Sequence, residues 1–240
     1  MLKISRSAVE QYLNCQRCFY LAYKHKIKLK TLPFTLNSAV DNLCKNEFDH
    51  YRAKAEPHPM FIEHGINAVP FAHEKMDEWR DNFKGIRYIN EEEGYNFGGA
   101  VDDIWQKPNG ELIVVDVKAT SKNIFDWEDT YSKWEYAKGY QRQLEMYQWL
   151  LEKNGFDVAS EGYLVYYNGK KNESMFNQML TFDLHLIKLE CKNDWVEDAI
   201  LRAISTLKGE MPRPAGSCDT CNYLKKRWEA SQKDPKKLIE

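Results

Sequence analysis

The ten residues "ELIVVDVKAT" (111–120) decide how the chain folds, because they describe a buried β-strand that ends in charge. Leu, Ile and Val fill most of the run, yet Asp116 and Lys118 stand near its end. Side chains alternate faces along a strand, so these two project from the same face, one pleat apart. An unpaired ion in an apolar interior is very costly. The pattern therefore predicts either a structural ion pair or a reaction site.

The segment before this strand supplies a second acid. The residues "YNFGGAVDDIWQ" (95–106) are typical of a strand, and "KPNG" (107–110) contains an Asn-Gly pair, a strong hairpin signal. Hairpin pairing would bring Asp102 or Asp103 close to Asp116. Two carboxylates repel each other unless a cation lies between them, and carboxylate oxygens suit Mg²⁺ or Mn²⁺. The nearby lysine could hold an attacking water or stabilise negative charge developing on a phosphate.

The rest of the chain predicts a mixed α/β fold. We expect a mixed central sheet flanked by helices, forming one domain over residues 1–240, with an N-terminal helix and a Cys-containing C-terminal tail. Helical spacing and turn residues predict helices from Ser5 or Ser7 onward and over residues 37–54, 73–85, 134–155 and 193–209, strands over 161–169 and 179–189, and a loop over 56–65.

Composition indicates a globular, cytoplasmic protein. The 240 residues are 43% hydrophobic and carry a formal net charge of −2, enough apolar content for a core and too little positive charge for a passive nucleic-acid coat. No apolar run approaches the roughly 20 residues that span a bilayer, and the first residues lack signal-peptide character. We therefore expect no membrane association. Oligomeric state is left open.

Four motifs occur in a fixed order along the chain. A helical segment, "SAVEQYLNC…CFYLAYK" (7–24), comes first, followed by Gly-x-x-Asp at residues 99–102 and Asp-x-Lys at 116–118. A Gln-x-x-x-Tyr pair, Gln143 and Tyr147, lies downstream with the i,i+4 spacing of one helix face. Together they resemble the PD-(D/E)XK nuclease superfamily, and specifically its RecB-like branch. That branch includes the nuclease domains of bacterial recombination helicase–nucleases and the small exonucleases of CRISPR adaptation.

The resemblance implies a divalent-metal-dependent DNA nuclease, with exonuclease action on DNA ends or single strands. It favours Asp102 over Asp103 as the metal ligand beside Asp116, adds the Val117 carbonyl as a ligand, and assigns Lys118 to the attacking water. It gives Gln143 and Tyr147 contacts to substrate or to the lysine, against a packing role. The alternative is an inactive DNA-binding or scaffold module. A helicase, CRISPR or repair protein would be the partner, because the sequence has no Walker-type phosphate loop.

One position departs from the family pattern. The family often carries a metal-binding His or Glu on the helix before the sheet, within Gly-x-x-x-His. Here Asn37 and Asp41 occupy the two positions. Asp41 can still ligate a hard cation; Glu47 on the same helix is an alternative, and so is no ligand from this helix.

Four of the six cysteines form two C-x-x-C pairs near opposite ends of the chain: Cys15, Cys18, Cys218 and Cys221. In a chain without an export signal, such pairs indicate a metal site more readily than disulfides, with ordinary reduced thiols as the alternative. Zn²⁺ and an iron–sulfur cluster both accept four thiolates. Some RecB-like nucleases hold a [4Fe–4S] cluster between one N-terminal and three C-terminal cysteines, so the resemblance favours iron–sulfur although the two-plus-two arrangement departs from it. We expect a staple joining residues 15–18 to 218–221.

Basic residues and aromatics could also guide a single strand by charge and stacking. The candidates are the basic cluster at residues 24–30 together with Tyr20, Tyr23 and Trp134. A solvated or core role is the alternative for each of them.

Overall fold

The computed structural model describes residues 1–29, 32 and 34–233, and the chain divides into two compact units. The first unit comprises residues 1–6 and 32–196, and the second comprises residues 7–31 and 197–240. Lys30, at the end of the predicted basic cluster, lies outside the described residues. That the whole chain forms a single domain stays a prediction.

The first unit contains all the described strands and five helices. In chain order its elements are β1 Leu2–Ser5, α3 Thr35–Arg52, α4 Pro59–Glu63, β2 Val69–Pro70, α5 Met76–Arg80, β3 Ile86–Asn90, β4 Tyr95–Gly99, β5 Asp103–Gln106, β6 Leu112–Thr120, α6 Trp127–Lys133, α7 Glu135–Lys153, β7 Val158–Gly169 and β8 Phe182–Glu190. The mixed α/β fold is as predicted, but the described strands form two sheets. The orders are β1-β4-β3 and β2-β5-β6-β7-β8.

Strand β6 lies at the centre of the larger sheet and is buried over most of its length. It pairs antiparallel with β5 and parallel with β7, so α7 serves as the crossover between the two parallel strands. Ile113, Val115 and Val117 belong to the apolar core cluster on one face, together with residues of α3 and α4. The opposite face carries Asp116, as strand alternation predicts.

The prediction of one strand over residues 95–106 is wrong. The chain forms β4 and β5, which belong to different sheets, with a bend at Asp102. Two glycines at the end of β4 each lie too close to a neighbour for a side chain. A Cβ on Gly98 would approach the Ile86 carbonyl oxygen to 2.7 Å, and one on Gly99 would approach the Tyr147 ring to 2.7 Å.

Other element predictions need smaller corrections. The predicted loop over residues 56–65 contains α4, which begins at Pro59 and is capped by the His58 side chain accepting from the Met60 N–H. The predicted helix over 73–85 shrinks to α5, because the Asp81 carboxylate accepts from the N–H groups of residues 83 and 84 and closes a turn instead. Strands β1 and β3 and helix α6 were not predicted.

All the regular secondary structure in the described part of the second unit is helical. Its helices are α1 Arg6–Asn14, which begins one residue before the unit, α2 Gln16–Lys24, α8 Val196–Lys208, which also begins one residue before it, and α9 Asp219–Lys233. The predicted first helix is therefore two helices that break at Cys15. Helix α9 was expected only as a tail. None of the helices in the described part of the chain combines the length and apolar character that a bilayer span needs.

Candidate active site and cysteine cluster

The end of β6 is where the charged side chains gather. Asp103 pairs with Val115, so continuing the β5–β6 register sets Asp102 opposite Asp116. Because β5 begins only at Asp103, this side of β6 has no strand partner beyond Val115. The Val117 N–H donates instead to Asp102 Oδ2, at 2.9 Å. A bend residue thus replaces the missing strand and brings the two carboxylates together.

The Asp116 carboxylate is fully buried, and it contacts one cationic side chain and one side-chain amide. Lys118 Nζ forms an ion pair with Asp116 Oδ2, and Gln143 Nε2 donates to Asp116 Oδ1 at 2.7 Å. Burial and the neighbouring charge of Asp102 raise the pKa of Asp116 to about 7, although Lys118 works in the opposite direction. Burial would lower the pKa of Lys118, but the carboxylates of Asp116 and Asp102 outweigh it and raise that pKa. The two shifts stabilise the Lys118 ammonium and make the Asp116 carboxyl easier to protonate than an exposed one.

Asp102 and Asp41 are joined by a second lysine. Lys45 Nζ lies 2.7 Å from Asp41 Oδ2 and 3.3 Å from Asp102 Oδ1. Burial would raise the pKa of Asp102, but Lys45, Lys118 and the Val117 N–H lower it. For Asp41, burial and the charge of Asp102 raise the pKa. Two ammonium groups therefore serve three carboxylates, leaving one negative charge uncompensated at full ionisation.

Asp103 has a different role from its neighbour. It is completely buried and forms ion pairs with two arginines, Arg52 at 2.7 Å and Arg80. Arg80 Nε also donates to the Asp102 carbonyl at 3.1 Å. These ion pairs and the hydrogen bond stabilise the bend through Asp103 and the Asp102 carbonyl. The Asp102 carboxylate takes no part in them and faces Asp116.

Helix α7 lines the site with one stripe of polar side chains. Gln143 Nε2 contacts Asp116 and also lies 3.3 Å from the Tyr147 hydroxyl. One turn earlier, the Tyr140 ring lies under Lys118 Nζ, 4.6 Å from the ring centroid. Glu47, the alternative ligand on α3, instead contacts His58 Nε2 at 3.1 Å and does not join this cluster.

The carboxylates suit a divalent cation. Asp41 Oδ1 is buried and has no hydrogen-bond partner within the described residues, and such an orphaned oxygen is costly unless something binds it. Asp41, Asp102 and Asp116 together offer hard oxygen donors of the kind that Mg²⁺ and Mn²⁺ prefer. Asn37, at the family's Gly position, donates to the Ala119 carbonyl at 3.1 Å and anchors α3 beside β6.

The four paired cysteines converge within the second unit. Their sulfurs all lie within 4.8 Å of one another, with Cys18–Cys221 at 3.4 Å, Cys18–Cys218 at 3.6 Å and Cys15–Cys221 at 3.9 Å. A tetrahedral ion with metal–sulfur bonds of about 2.3 Å requires sulfur separations of about 3.8 Å. A [4Fe–4S] cluster would need the sulfurs further apart, since each thiolate binds a different iron. The spacing therefore fits a single tetrahedral ion.

Both C-x-x-C pairs occupy the same place in a helix. Cys15 is the N-cap of α2 and Cys218 directly precedes α9, so Cys18 and Cys221 fall in the first turns. Burial would raise the pKa of the Cys15 thiol, but N–H donors at Ala215 and Cys18 outweigh it and lower the pKa to about 7. Burial raises the pKa of Cys221 to about 11. Cys44 and Cys191 are buried elsewhere, outside this cluster.

A model of the PD-(D/E)XK nuclease superfamily matches residues 3–225. The chain belongs to the PD-(D/E)XK nuclease superfamily. The predicted family is thereby confirmed, and the protein is a nuclease by family. None of the curated proteins matches the sequence.

Three solved structures resemble this PD-(D/E)XK nuclease. SSO0001 is 14% identical, with 88% of this chain and 78% of that chain covered and a TM-score of 0.42. A candidate exonuclease from Eubacterium rectale is 14% identical, with 92% and 87% covered and a TM-score of 0.44. A phage-related exonuclease from Haemophilus somnus 129PT is 13% identical, with 85% and 79% covered and a TM-score of 0.42. At these scores the likenesses carry no argument about the site.

The structure brings together most of the residues that the sequence singled out in this PD-(D/E)XK nuclease. Asp116 contacts both Lys118 and Gln143, Tyr147 touches Gln143, and Lys45 joins Asp41 to Asp102. Val117 contributes its N–H, whereas a metal contact of its carbonyl stays a prediction. Sequence reasoning missed Lys45, Arg80 and Tyr140. The i,i+4 spacing of Asp41 and Lys45 was the available signal for the first of these.

Proposed function

We propose that the protein is a divalent-metal-dependent DNA nuclease that hydrolyses phosphodiester bonds at the end of β6. The observation that supports this best is that Asp116 pairs with Lys118, Lys45 joins Asp102 to Asp41, and the buried Oδ1 of Asp41 has no hydrogen-bond partner within the described residues. Bound Mg²⁺ or Mn²⁺ would supply a water of lowered pKa and neutralise the charge on the phosphate.

The side chains of the site divide the remaining work. Asp102 and Asp116 would hold the cation, and Asp41 would complete the oxygen set in place of its contact with Lys45. Lys118 would orient the attacking water and stabilise the charge on the phosphate. Gln143 keeps Asp116 in position by its hydrogen bond of 2.7 Å, and Tyr147 supports Gln143. Each role belongs to a side chain that already lies in the cluster beside the end of β6.

DNA ends or single strands are the substrate that we propose, with exonuclease action. The sequence resemblance to small exonucleases of CRISPR adaptation and to recombination nucleases supports this choice. The same resemblance supports a helicase, CRISPR or repair protein as partner.

The second candidate function is a DNA-binding module without catalysis. Lys45 favours it, because its ammonium group already bridges Asp41 and Asp102, where a nuclease would hold its metal. An intact Asp102, Asp116 and Lys118 set favours the nuclease.

Metal-dependent cleavage of labelled DNA separates the two candidates. Purified protein is incubated with single- and double-stranded DNA, with Mg²⁺, with Mn²⁺ or without metal. We expect cleavage with metal only, and we expect Asp116→Asn and Lys118→Met each to reduce it by about 10²–10³-fold or more, since each removes a group that acts on the reacting phosphate.

Two matched variants serve as controls. Asp183→Asn removes a carboxylate on β8 that lies 2.9 Å from Lys170 Nζ. Lys107→Met removes a lysine that bridges Glu111 and Glu161. Both should cleave at the wild-type rate. DNA binding without any cleavage would favour the non-catalytic module, and cleavage that survives Asp116→Asn would remove the chemistry from this site.

A further inference from the structure

A line of aromatic side chains leads from the surface to the reaction site. Trp134 and Tyr136 are 55% and 44% exposed. Their ring centroids are 6.2 Å apart, and the Tyr136 and Tyr140 centroids are 5.7 Å apart. Tyr140 is half-buried and carries Lys118 Nζ over its ring. The rings therefore form a continuous series that ends at the side chain beside Asp116.

The spacing along α7 explains this alignment. Tyr136, Tyr140, Gln143 and Tyr147 follow each other at intervals of four, three and four residues, so they share one helix face. The exposed rings and the buried amide that contacts Asp116 consequently lie on one stripe. At 1.5 Å per residue, Tyr136 and Gln143 are about 10 Å apart along the helix axis. That is a short distance for a flexible polymer to cover.

The backbone holds the outermost ring in place. Trp134 lies at the junction of α6 and α7, where its N–H donates to the Thr130 carbonyl at 3.0 Å and its carbonyl accepts from the Ala137 N–H at 3.0 Å. Lys138, in the first turn of α7, has a half-exposed side chain, and its Nζ lies 3.7 Å from the Glu135 carboxylate. An exposed cation thus accompanies the exposed rings.

We propose that Trp134 and Tyr136 form a base-stacking subsite that receives single-stranded DNA and directs it towards Lys118. The proposal rests on the proposed nuclease function, because it takes that site as the end of the track. Base–aromatic stacking is sequence-tolerant, and positively charged side chains take up the phosphates. A duplex keeps its base faces stacked internally, so its bases cannot lie on these rings. Continuity with Lys118 favours a strand over a protein partner, since the track leads to the group that would face a phosphate.

Binding of a fluorescent oligothymidylate, measured by anisotropy without added divalent cation, tests the subsite without any chemistry. We expect Trp134→Ala and Tyr136→Ala each to weaken binding by about tenfold, as loss of one stacked base implies. Trp134→Phe should retain most of the affinity, because it keeps a ring. Phe83→Ala is the control, since Phe83 is 90% exposed in the same unit but has no place in the series. Circular dichroism checks that each variant is folded.

Two further ligands identify what the rings recognise. A strand of abasic sugar phosphates should bind weakly and equally to the wild-type protein and to Trp134→Ala, and a blunt duplex should be nearly insensitive to the substitution. Equal affinity of all variants for the oligothymidylate would overturn the proposal and leave the rings to another ligand, such as a protein. The proposal would also be overturned if Trp134→Ala weakened binding of the abasic strand as much as binding of the oligothymidylate. That result would indicate that the ring contacts the phosphates.

The outcome for the nuclease is read separately. A ring-dependent affinity without metal-dependent cleavage would preserve the stacking subsite and overturn the proposed catalysis. If the protein cleaves DNA with metal but Trp134→Ala and Tyr136→Ala bind the oligothymidylate as tightly as the wild type, the proposed catalysis stands and the subsite is overturned.

Discussion

The two clusters of candidate metal ligands differ in what surrounds them. At the end of β6, Asp41 contacts Lys45 and Asp116 contacts Lys118, so two of the three carboxylates already have a cation beside them. In the cysteine cluster, the sulfurs lie 3.4–3.9 Å from one another, and the backbone N–H groups of Ala215 and Cys18 donate to Cys15. One cluster contains cationic side chains of its own, and the other contains sulfurs and backbone N–H donors.

This difference indicates what each metal would do. A site with internal cations can remain folded without metal, and it binds a divalent ion by exchanging ammonium groups for it. Four thiolates held together would repel one another, and a shared ion would offset that repulsion. We therefore expect an exchangeable metal at the carboxylate site and a resident one at the cysteine cluster.

The largest effect should follow loss of one cysteine ligand. Cys18→Ser should abolish metal retention and lower the unfolding temperature of the second unit by about 10 °C, because structural zinc contributes several kcal/mol and 1 kcal/mol is worth about 2–4 °C at this size. Metal analysis should find about one zinc ion per wild-type chain. Thermal unfolding and elemental analysis measure both.

Cys191→Ala is the matched control for this substitution. It removes a buried thiol outside the cluster and should keep the metal while shifting unfolding by only about 2–4 °C. A brown protein that absorbs near 400 nm would show iron–sulfur instead of zinc, and unchanged stability of Cys18→Ser would break the contrast between the two sites.

A smaller effect should follow removal of the internal cation. Lys45→Met frees Asp41 and Asp102 from their ammonium, so Mn²⁺ should bind about tenfold more tightly, corresponding to about 1.4 kcal/mol. Calorimetric titration measures this without catalysis. Lys107→Met, which removes a lysine from a different carboxylate pair, should leave Mn²⁺ affinity unchanged. Weaker Mn²⁺ binding by Lys45→Met would show that Lys45 assists the metal and does not compete with it.

The smallest effect concerns pH. Burial raises the pKa of Asp116 to about 7, and a carboxyl must lose its proton to bind a cation. The sign is therefore fixed: Mn²⁺ affinity should fall as pH falls through 7, by roughly fourfold between about pH 8 and about pH 6.5. Titrations at both pH values measure it. Asp116→Asn should bind more weakly and lose this dependence, and an unchanged dependence in that variant would assign the proton elsewhere.

Local periodicity predicted the centre of the site well. Alternation along 111–120 sets Asp116 and Lys118 on one face, and the Asn-Gly turn fixes the register that brings Asp102 opposite Asp116. Both rules act over a few residues and need no knowledge of the rest of the fold. The C-x-x-C spacing identified the cysteine cluster for the same reason.

The contacts that the sequence did not reveal come from packing between distant segments. The break between β4 and β5 is accompanied by close contacts of Gly98 with Ile86 and of Gly99 with Tyr147, which strand propensity does not express. Lys45 belongs to a helix whose exposed and buried faces are not distinguished until β6 packs against it. Of the predicted stacking residues, Tyr20 is buried and Trp134 is exposed, a distinction that composition cannot make.

The order of the cluster along the chain has a consequence for biosynthesis. The side chains of the carboxylate site lie between Asp41 and Tyr147, and the last described strand ends at Glu190, but Cys218 and Cys221 are translated later still. Synthesis proceeds at roughly 5–20 residues per second, so the second cysteine pair is made many seconds after the first. The sheets can form during that interval. Metal binding by all four cysteines would therefore be a late step of maturation, and a shortage of that metal in the cell would yield chains with a formed sheet unit and an open cysteine cluster.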